Sequence, residues 1–269
     1  MSFASLENSL FDGRPVRLYL FELGGNQRWA HSSADRAVAH NTIIYQGSQL
    51  SDDGIRMTGE ASADTLRITA PSDLDVAQLW RGVPPSDEVF ATIRDTHWSL
   101  DNEAEVVWKG SISAVRWTQE DRCQLICNSL SASMNRPGLK LTYMRGCPHS
   151  VYDTQCKAPR VLYRQSATVT ALDGLRITHG APGAGTYAGG FIEWQSNGRT
   201  ERRGIGAETG QQLEIIGGTD GLAVGQSITL YQGCDGTSAI CHGRFGNMDH
   251  HGGFRHMPGK SPFDGDPVF

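Results

Sequence analysis

Three observations on the sequence predict a mainly β fold. The chain carries 32 glycines with only 38% hydrophobic residues. It shows a succession of short runs in which apolar and polar side chains alternate, and one short helical pattern only. Alternation turns one face of a strand towards a core, and abundant glycine suits the tight turns between strands. By texture the 269 residues divide into an N-terminal β-barrel or sandwich (1–145), a short cysteine-bearing stretch (146–160), an inserted small β-barrel domain (161–230) and a Cys-rich, metal-stapled C-terminal segment (231–269).

In the first region, strands are predicted over Val16 to Leu23, Thr42 to Tyr45, Thr65 to Thr69, Val89 to Ile93, Glu105 to Gly110, Ser113 to Trp117 and Arg122 to Cys127. Leu74 to Trp80 reads as one helical turn. Ser72 and Asp75 form a capping-box-like start for it, and Gly82, Pro84 and Pro85 end it. The region as a whole reads as strands around one short helix.

In the inserted region, strands are expected over Ala167 to Thr170, Leu213 to Ile216 and Ser227 to Tyr231. Asn197-Gly198 lies between the run at Phe191 to Ser196 and the run at Arg199 to Gly204. That dipeptide is a strong hairpin signal, because both residues tolerate positive φ. Gly183, Gly185 and Gly189 have the wrong spacing for a dinucleotide-binding turn, and no helical pattern follows them, so they read as a loop.

Charge and hydropathy exclude several classes. No apolar stretch approaches the roughly 18 to 20 residues that span a bilayer, so no direct membrane insertion is predicted. The net charge is −5 without a block of Lys or Arg, which removes the electrostatic footprint of specific nucleic-acid binding. The first residues lack a basic patch followed by an apolar run, so a cytosolic folding compartment is expected.

In that compartment clustered cysteines favour metal ligation or catalysis over disulfides. Cys147 with Cys156, and Cys234 with Cys241, form two clusters separated by 77 intervening residues. The residues after Gly233 are rich in Gly, His, Pro and Asp, with Phe245, Phe254 and Phe263 among few large apolar side chains. Such a segment buries little by itself and calls for a staple. The two pairs are therefore expected to converge on one site. Zinc sites usually place about two to four residues between paired cysteines. Here eight and six intervene, which suits a wider iron–sulfur cluster and leaves zinc open.

The remaining candidates have plainer readings. Cys123 and Cys127 flank Leu125 on one strand face, with sulfurs roughly 13 Å apart along the strand, and read as small buried hydrophobes. His149 is assigned a structural hydrogen bond near the cysteine site, and His242, His250, His251 and His256 solvated or packing roles. Cys147 with His149 or His242 could compose the nucleophile and base of a cysteine hydrolase. However, Cys147 does not open a helix, and a lone nucleophile leaves the second pair unexplained. No flavin or nicotinamide fingerprint supports a redox enzyme.

The stretch Cys147-Pro148-His149-Ser150-Val151-Tyr152-Asp153-Thr154-Gln155-Cys156 resembles the C-x-H-x-x-Y-D-x-x-C signature of tail-tip hub proteins from long-tailed phages and gene transfer agents. Gly233-Cys234-Asp235, Cys241, Arg244-Phe245 with Asn247, and Pro258-Gly259 are similar to that family's C-terminal signature. Ser33 to Arg36, Ala77 to Pro85, Val107 to Gly110 and Arg136 to Leu139 extend the likeness over almost the whole chain. His250-His251 stands where relatives usually carry Asn-Phe.

The resemblance implies a non-enzymatic virion structural protein at the tail tip, or baseplate hub, of a siphophage-type particle, assembled in the host bacterial cytoplasm. It further implies a [4Fe-4S] cluster on Cys147, Cys156, Cys234 and Cys241. The implied assembly is a homotrimer between the distal tail protein ring and the central fibre or receptor-binding protein, in contact with other tail-tip proteins.

Overall fold

The computed structural model describes residues 2–24, 27–56, 58–59, 64–98, 103–135, 138, 141–181 and 186–257. Gly183, Gly185, Arg136, Pro137, Leu139, Pro258, Gly259 and Phe263, invoked above, lie outside the described residues. The chain forms two compact units, Met1–Pro137 and Gly138–Phe269. The second begins before the boundary expected at residue 145, because the stretch preceding Cys147 is tied to the C-terminal segment: the Phe254 N–H donates to the Met144 carbonyl at 2.9 Å.

In the first unit, α1 (Phe3–Glu7) precedes β1 (Pro15–Leu23), β2 (Gln27–Ser32), β3 (Val38–His40), β4 (Ile43–Gly47), β5 (Ser51–Asp52) and β6 (Leu66–Pro71). Next come α2 (Asp75–Gln78), β7 (Val89–His97), β8 (Glu105–Trp117), β9 (Arg122–Ser129) and a 3-10 turn at Leu130–Asn135. The strands build one sheet in the order β3-β4-β2-β1-β7-β8-β9-β6-β5. β4 pairs with β2 in parallel, and its continuation β5 pairs with β6, so the sheet returns on itself through residues 43–52. One bent segment thus contributes a strand near each end of the large sheet.

Side chains reinforce this closure. Asp52 on β5 accepts hydrogen bonds from the Arg17 guanidinium at 2.7 Å and from the Tyr19 hydroxyl at 2.8 Å, both on β1, and Arg17 also pairs with Asp95 on β7. Alternation along β1 sends Tyr19, Phe21 and Leu23 into the main core and Val16, Leu18 and Leu20 into a smaller one with Tyr45. The main core also takes Val76 and Ala77 of α2, together with Cys123, Leu125 and Cys127 of β9.

Two local expectations need correction. The stretches at Glu105 to Gly110 and Ser113 to Trp117 are one strand, whose register against β9 shifts between Ile112 and Ala114. A bulge there mimics a strand break in the sequence pattern. The capping box does not form either. α2 starts after Leu74 without a side-chain cap, because the Ser72 hydroxyl donates instead to the Glu120 carbonyl at 2.8 Å.

The second unit holds a closed barrel. Its strands are β10 (Arg164–Asp173), β11 (Arg176–His179), β12 (Phe191–Ser196), β13 (Arg199–Thr209), β14 (Gln212–Ile215) and β15 (Ser227–Tyr231), closed in the order β10-β11-β14-β13-β12-β15. Ile177, Ile192, Trp194, Ile205, Leu213 and Leu230 fill its interior. The Asn197-Gly198 turn joins β12 to β13 with φ of 50° and 75°, the double positive conformation that the dipeptide permits. A 3-10 turn at Arg160–Tyr163 leads into the barrel, and after it come α3 (Ser238–Gly243) and a 3-10 turn at Met248–His250.

Candidate functional site: four cysteines at the barrel ends

The barrel delivers the two cysteine pairs from its two chain ends. Cys147 and Cys156 sit in the loop before β10, Cys234 lies just beyond β15, and Cys241 is on α3. Since β10 and β15 are paired strands, with Arg164 opposite Tyr231, the segments that enter and leave the barrel start side by side. Closing the barrel therefore brings the two pairs together. The Cys147 N–H donates to the Gly236 carbonyl at 2.7 Å, which ties the first pair's segment to the second's.

Asp153 shapes the first loop. Its carboxylate accepts from the backbone N–H groups of Ser150, Gln155 and Cys156, and its carbonyl accepts from the Lys157 N–H at 2.9 Å. Tyr152 next to it adopts φ of 66°, a conformation that costs a non-glycine residue roughly 1–2 kcal/mol. Its ring meets Phe191, Tyr231 and Phe245 edge-on at 5.9, 6.2 and 5.9 Å, and its hydroxyl donates to the Gln232 carbonyl at 2.7 Å. The strained backbone is held by contacts with the barrel and with the C-terminal segment.

The second pair is set by close backbone packing and a helix cap. A Cβ on Gly190 would stand 2.1 Å from the Tyr231 carbonyl, and one on Gly233 would stand 1.8 Å from the Ala188 carbonyl. Only glycine lets these two backbones meet just ahead of Cys234. Asp235 accepts from the N–H and hydroxyl of Thr237, whose oxygen accepts in turn from the Ile240 N–H and caps α3, which carries Cys241. Arg244 donates to the Gly233 and Thr186 carbonyls.

None of the six cysteines forms a disulfide. Cys123 and Cys127 are buried in the first unit's core, where burial pushes the Cys127 thiol up to about 12, so both are inert apolar filler. Cys241 is pushed up by burial and then by the thiols of Cys234, Cys147 and Cys156. Cys234 is pushed up by burial, by Asp235 and by the thiols of Cys156 and Cys147, against a lowering contribution from the Gly236 N–H. The four sulfurs thus share one electrostatic neighbourhood.

Among the described residues no three His, Cys, Asp or Glu side chains stand close enough to hold a single metal ion. N–H donors nonetheless face the sulfurs: Gly252 to Cys147 at 3.3 Å, Gly236 to Cys234 at 3.4 Å and the Asn247 amide to Cys156 at 3.7 Å. Four thiolate-forming side chains with N–H groups facing three of their sulfurs are a donor set that an iron–sulfur group can use, since its sulfur ligands accept such bonds.

The histidines named in the sequence have these surroundings. His149 packs on Gly252, where a Cβ would fall 2.3 Å from its Nε2. Both ring nitrogens of His251 are buried without a protein partner, and the His250 Nδ1 meets the Asn247 side-chain oxygen at 3.0 Å. His242 and His256 are exposed. Sequence reasoning gave Asp153, Tyr152, Arg244 and Asn247 a place in a signature but no task. Asp153 acts within its own loop, whereas the tasks of Tyr152, Arg244 and Asn247 depend on partners 80, 58 and 91 residues away.

Comparison with known proteins adds the family. Residues 7–159 match the family described as "Baseplate hub protein, N-terminal attachment domain", and residues 185–261 match "Phage conserved hypothetical protein BR0599". One cysteine pair falls in each match. An uncharacterized protein of Xylella fastidiosa (strain 9a5c) is 27% identical over 168 residues, covering 57% of this chain, and the chain spans about a third of that relative's length (34%). Among solved structures, a chain of the virion of the native gene transfer agent (GTA) particle superposes with a TM-score of 0.79 at 15% identity, covering 99% of this chain and 96% of that one. That likeness establishes a shared fold. With more than half of its length matched to the attachment domain, the chain belongs to the baseplate hub protein family of phage tails.

Proposed function

We infer that this chain is a non-enzymatic hub at the distal end of a long-tailed phage or phage-like particle, assembled in the host cytoplasm. It forms a homotrimeric ring that links the distal tail protein ring to the central fibre or receptor-binding protein. The observation that carries this reading is the attachment-domain match over residues 7–159. The virion origin of the structurally similar chain supports it. A heterologous interface repeated around a closed ring converts the rotational order of a tail tube into a platform for fibres.

Within this reading Cys147, Cys156, Cys234 and Cys241 hold a structural [4Fe-4S] cluster. Between residues 232 and 257 the buried apolar side chains are Cys241 and Phe245, too few for an independent core. A bound cluster would supply iron–thiolate bonds joining the segments before and after the barrel, and its binding energy would become folding energy. The chain's own residues do the positioning: Asp153 folds the first loop, Thr237 caps α3, Arg244 holds the Gly233 carbonyl, and the N–H groups of Gly236 and Gly252 meet sulfur. The eight and six residues between the paired cysteines suit the cluster better than a single zinc ion, whose paired cysteines usually stand about two to four residues apart.

The test is genetic complementation of particles that lack this chain. Wild-type chain restores complete tail tips and infectivity, whereas Cys234→Ser leaves tails without a distal assembly. Complete tips formed in the chain's absence would overturn the hub reading, and wild-type titres from Cys234→Ser would overturn the structural role of the site.

A further inference from the structure

The geometry points to Asn247 as the residue that locks the two cysteine pairs to each other and hydrogen-bonds the Cys156 sulfur, a positioning residue for the centre. This rests on the cluster reading above and extends it to a side chain outside the four ligands. Asn247 engages both pairs at once. Its backbone N–H donates to the Cys241 carbonyl at 3.0 Å, and in the metal-free chain its carbonyl also accepts from the Cys241 thiol at 3.2 Å, a bond that gives way when that sulfur ligates as thiolate. Its side-chain Nδ2 donates to the carbonyl of Cys156, 91 residues away, and reaches the Cys156 sulfur at 3.7 Å.

The orientation of the amide follows from its partners. The carbonyl of Cys156 can only accept, so Nδ2 must face that residue. Oδ1 is then left for His250, whose Nδ1 lies 3.0 Å away and must carry the proton. The Cys156 carbonyl therefore sets the direction of the amide, and the His250 Nδ1–H, donating to Oδ1, holds it there. Aspartate at 247 would keep the shape but oppose an acceptor to an acceptor and add negative charge beside a thiolate.

A donor on a ligating sulfur disperses its negative charge and favours the more reduced, more negative cluster, so removing it lowers the reduction potential. Outer ligand-orienting residues typically change metal retention about 10- to 100-fold when altered. Asn247→Asp should therefore release iron about tenfold faster than wild type.

The experiment uses the full chain purified anaerobically, as wild type, Asn247→Asp and His250→Ala. Amide hydrogen exchange over residues 153–158 is followed in metal-free protein, and iron release and midpoint potential in loaded protein. Asn247→Asp is expected to raise exchange in that segment, speed iron release and lower the potential. His250→Ala, which only frees the amide to turn, shifts all three in the same direction by less, and it provides the readout should Asn247→Asp not fold. Unchanged exchange in both variants overturns the proposal, and so does increased exchange with an unchanged potential, because a merely structural tie would not move the potential. A wild-type chain that takes up no iron overturns the cluster reading instead, and the exchange measurement then decides the role of Asn247 by itself.

Discussion

Tyr152 is the residue whose replacement measures most cleanly how the first cysteine loop is fastened. Removing only its hydroxyl, in Tyr152→Phe, leaves the half-buried Gln232 carbonyl without its donor and costs about 1 kcal/mol. Removing the ring as well, in Tyr152→Ala, abandons contacts with Tyr163, Phe191, Tyr231 and Phe245. A fully buried aromatic lost in this way costs about 3–5 kcal/mol, and the partial exposure of Tyr152 places it at the lower end, about 3 kcal/mol. The backbone adds a third comparison. At φ of 66° glycine is unstrained while alanine is not, so Tyr152→Gly should be about 1 kcal/mol less damaging than Tyr152→Ala. Scanning calorimetry of the metal-free chain should show the second unit's transition falling by about 3–5 °C for the Phe variant and about 10–15 °C for the Ala variant. An Ala variant within 1 °C of wild type, or a Phe variant as unstable as Ala, would refute the reasoning.

The remaining predictions concern the first unit, where Asp52 joins β5 to β1. Asp52→Asn should destabilise that unit by about 2 kcal/mol, below the usual cost of breaking a buried ion pair because Arg17 keeps Asp95. Tryptophan fluorescence in urea reports this, since Trp29, Trp80, Trp98, Trp108 and Trp117 lie in the first unit and Trp194 in the second. Burial by itself would raise the Asp52 pKa, but the bonds from Arg17 and Tyr19 outweigh it and hold the carboxyl below the ordinary carboxylate range. A depressed folded-state pKa contributes stability that is present above the unfolded value, about 4, and is lost as pH falls through the folded value. Wild type should therefore lose more first-unit stability between about pH 4 and pH 2 than Asp52→Asn does. Equal acid slopes would remove Asp52 from the closure.

The parts of the fold that were legible in the sequence are those fixed by local pattern. Alternation located β1, β7 and β9, and the Asn-Gly pair located the β12–β13 hairpin. β3 and β5, at three and two residues, are too short to display alternation, and they exist because neighbouring strands supply hydrogen-bond partners. The helix cap was misread because Ser72 found a stronger claim in the Glu120 carbonyl, 48 residues away. At the site, residue type and spacing marked out the four cysteines. The tie from Asn247 to Cys156 and the crowding of Gly190 against Tyr231 appear only when distant segments meet, so no local pattern encodes them.

The proposed gathering of the four thiols of the second unit around one iron–sulfur group is open to direct chemical measurement. Quantifying iron, acid-labile sulfide and zinc in anaerobically purified wild-type chain tests it most directly. The expected result is brown protein, absorbing broadly near roughly 400 nm, with about four irons and four sulfides per chain. Colourless protein with one zinc per chain, or with no metal at all, would contradict it.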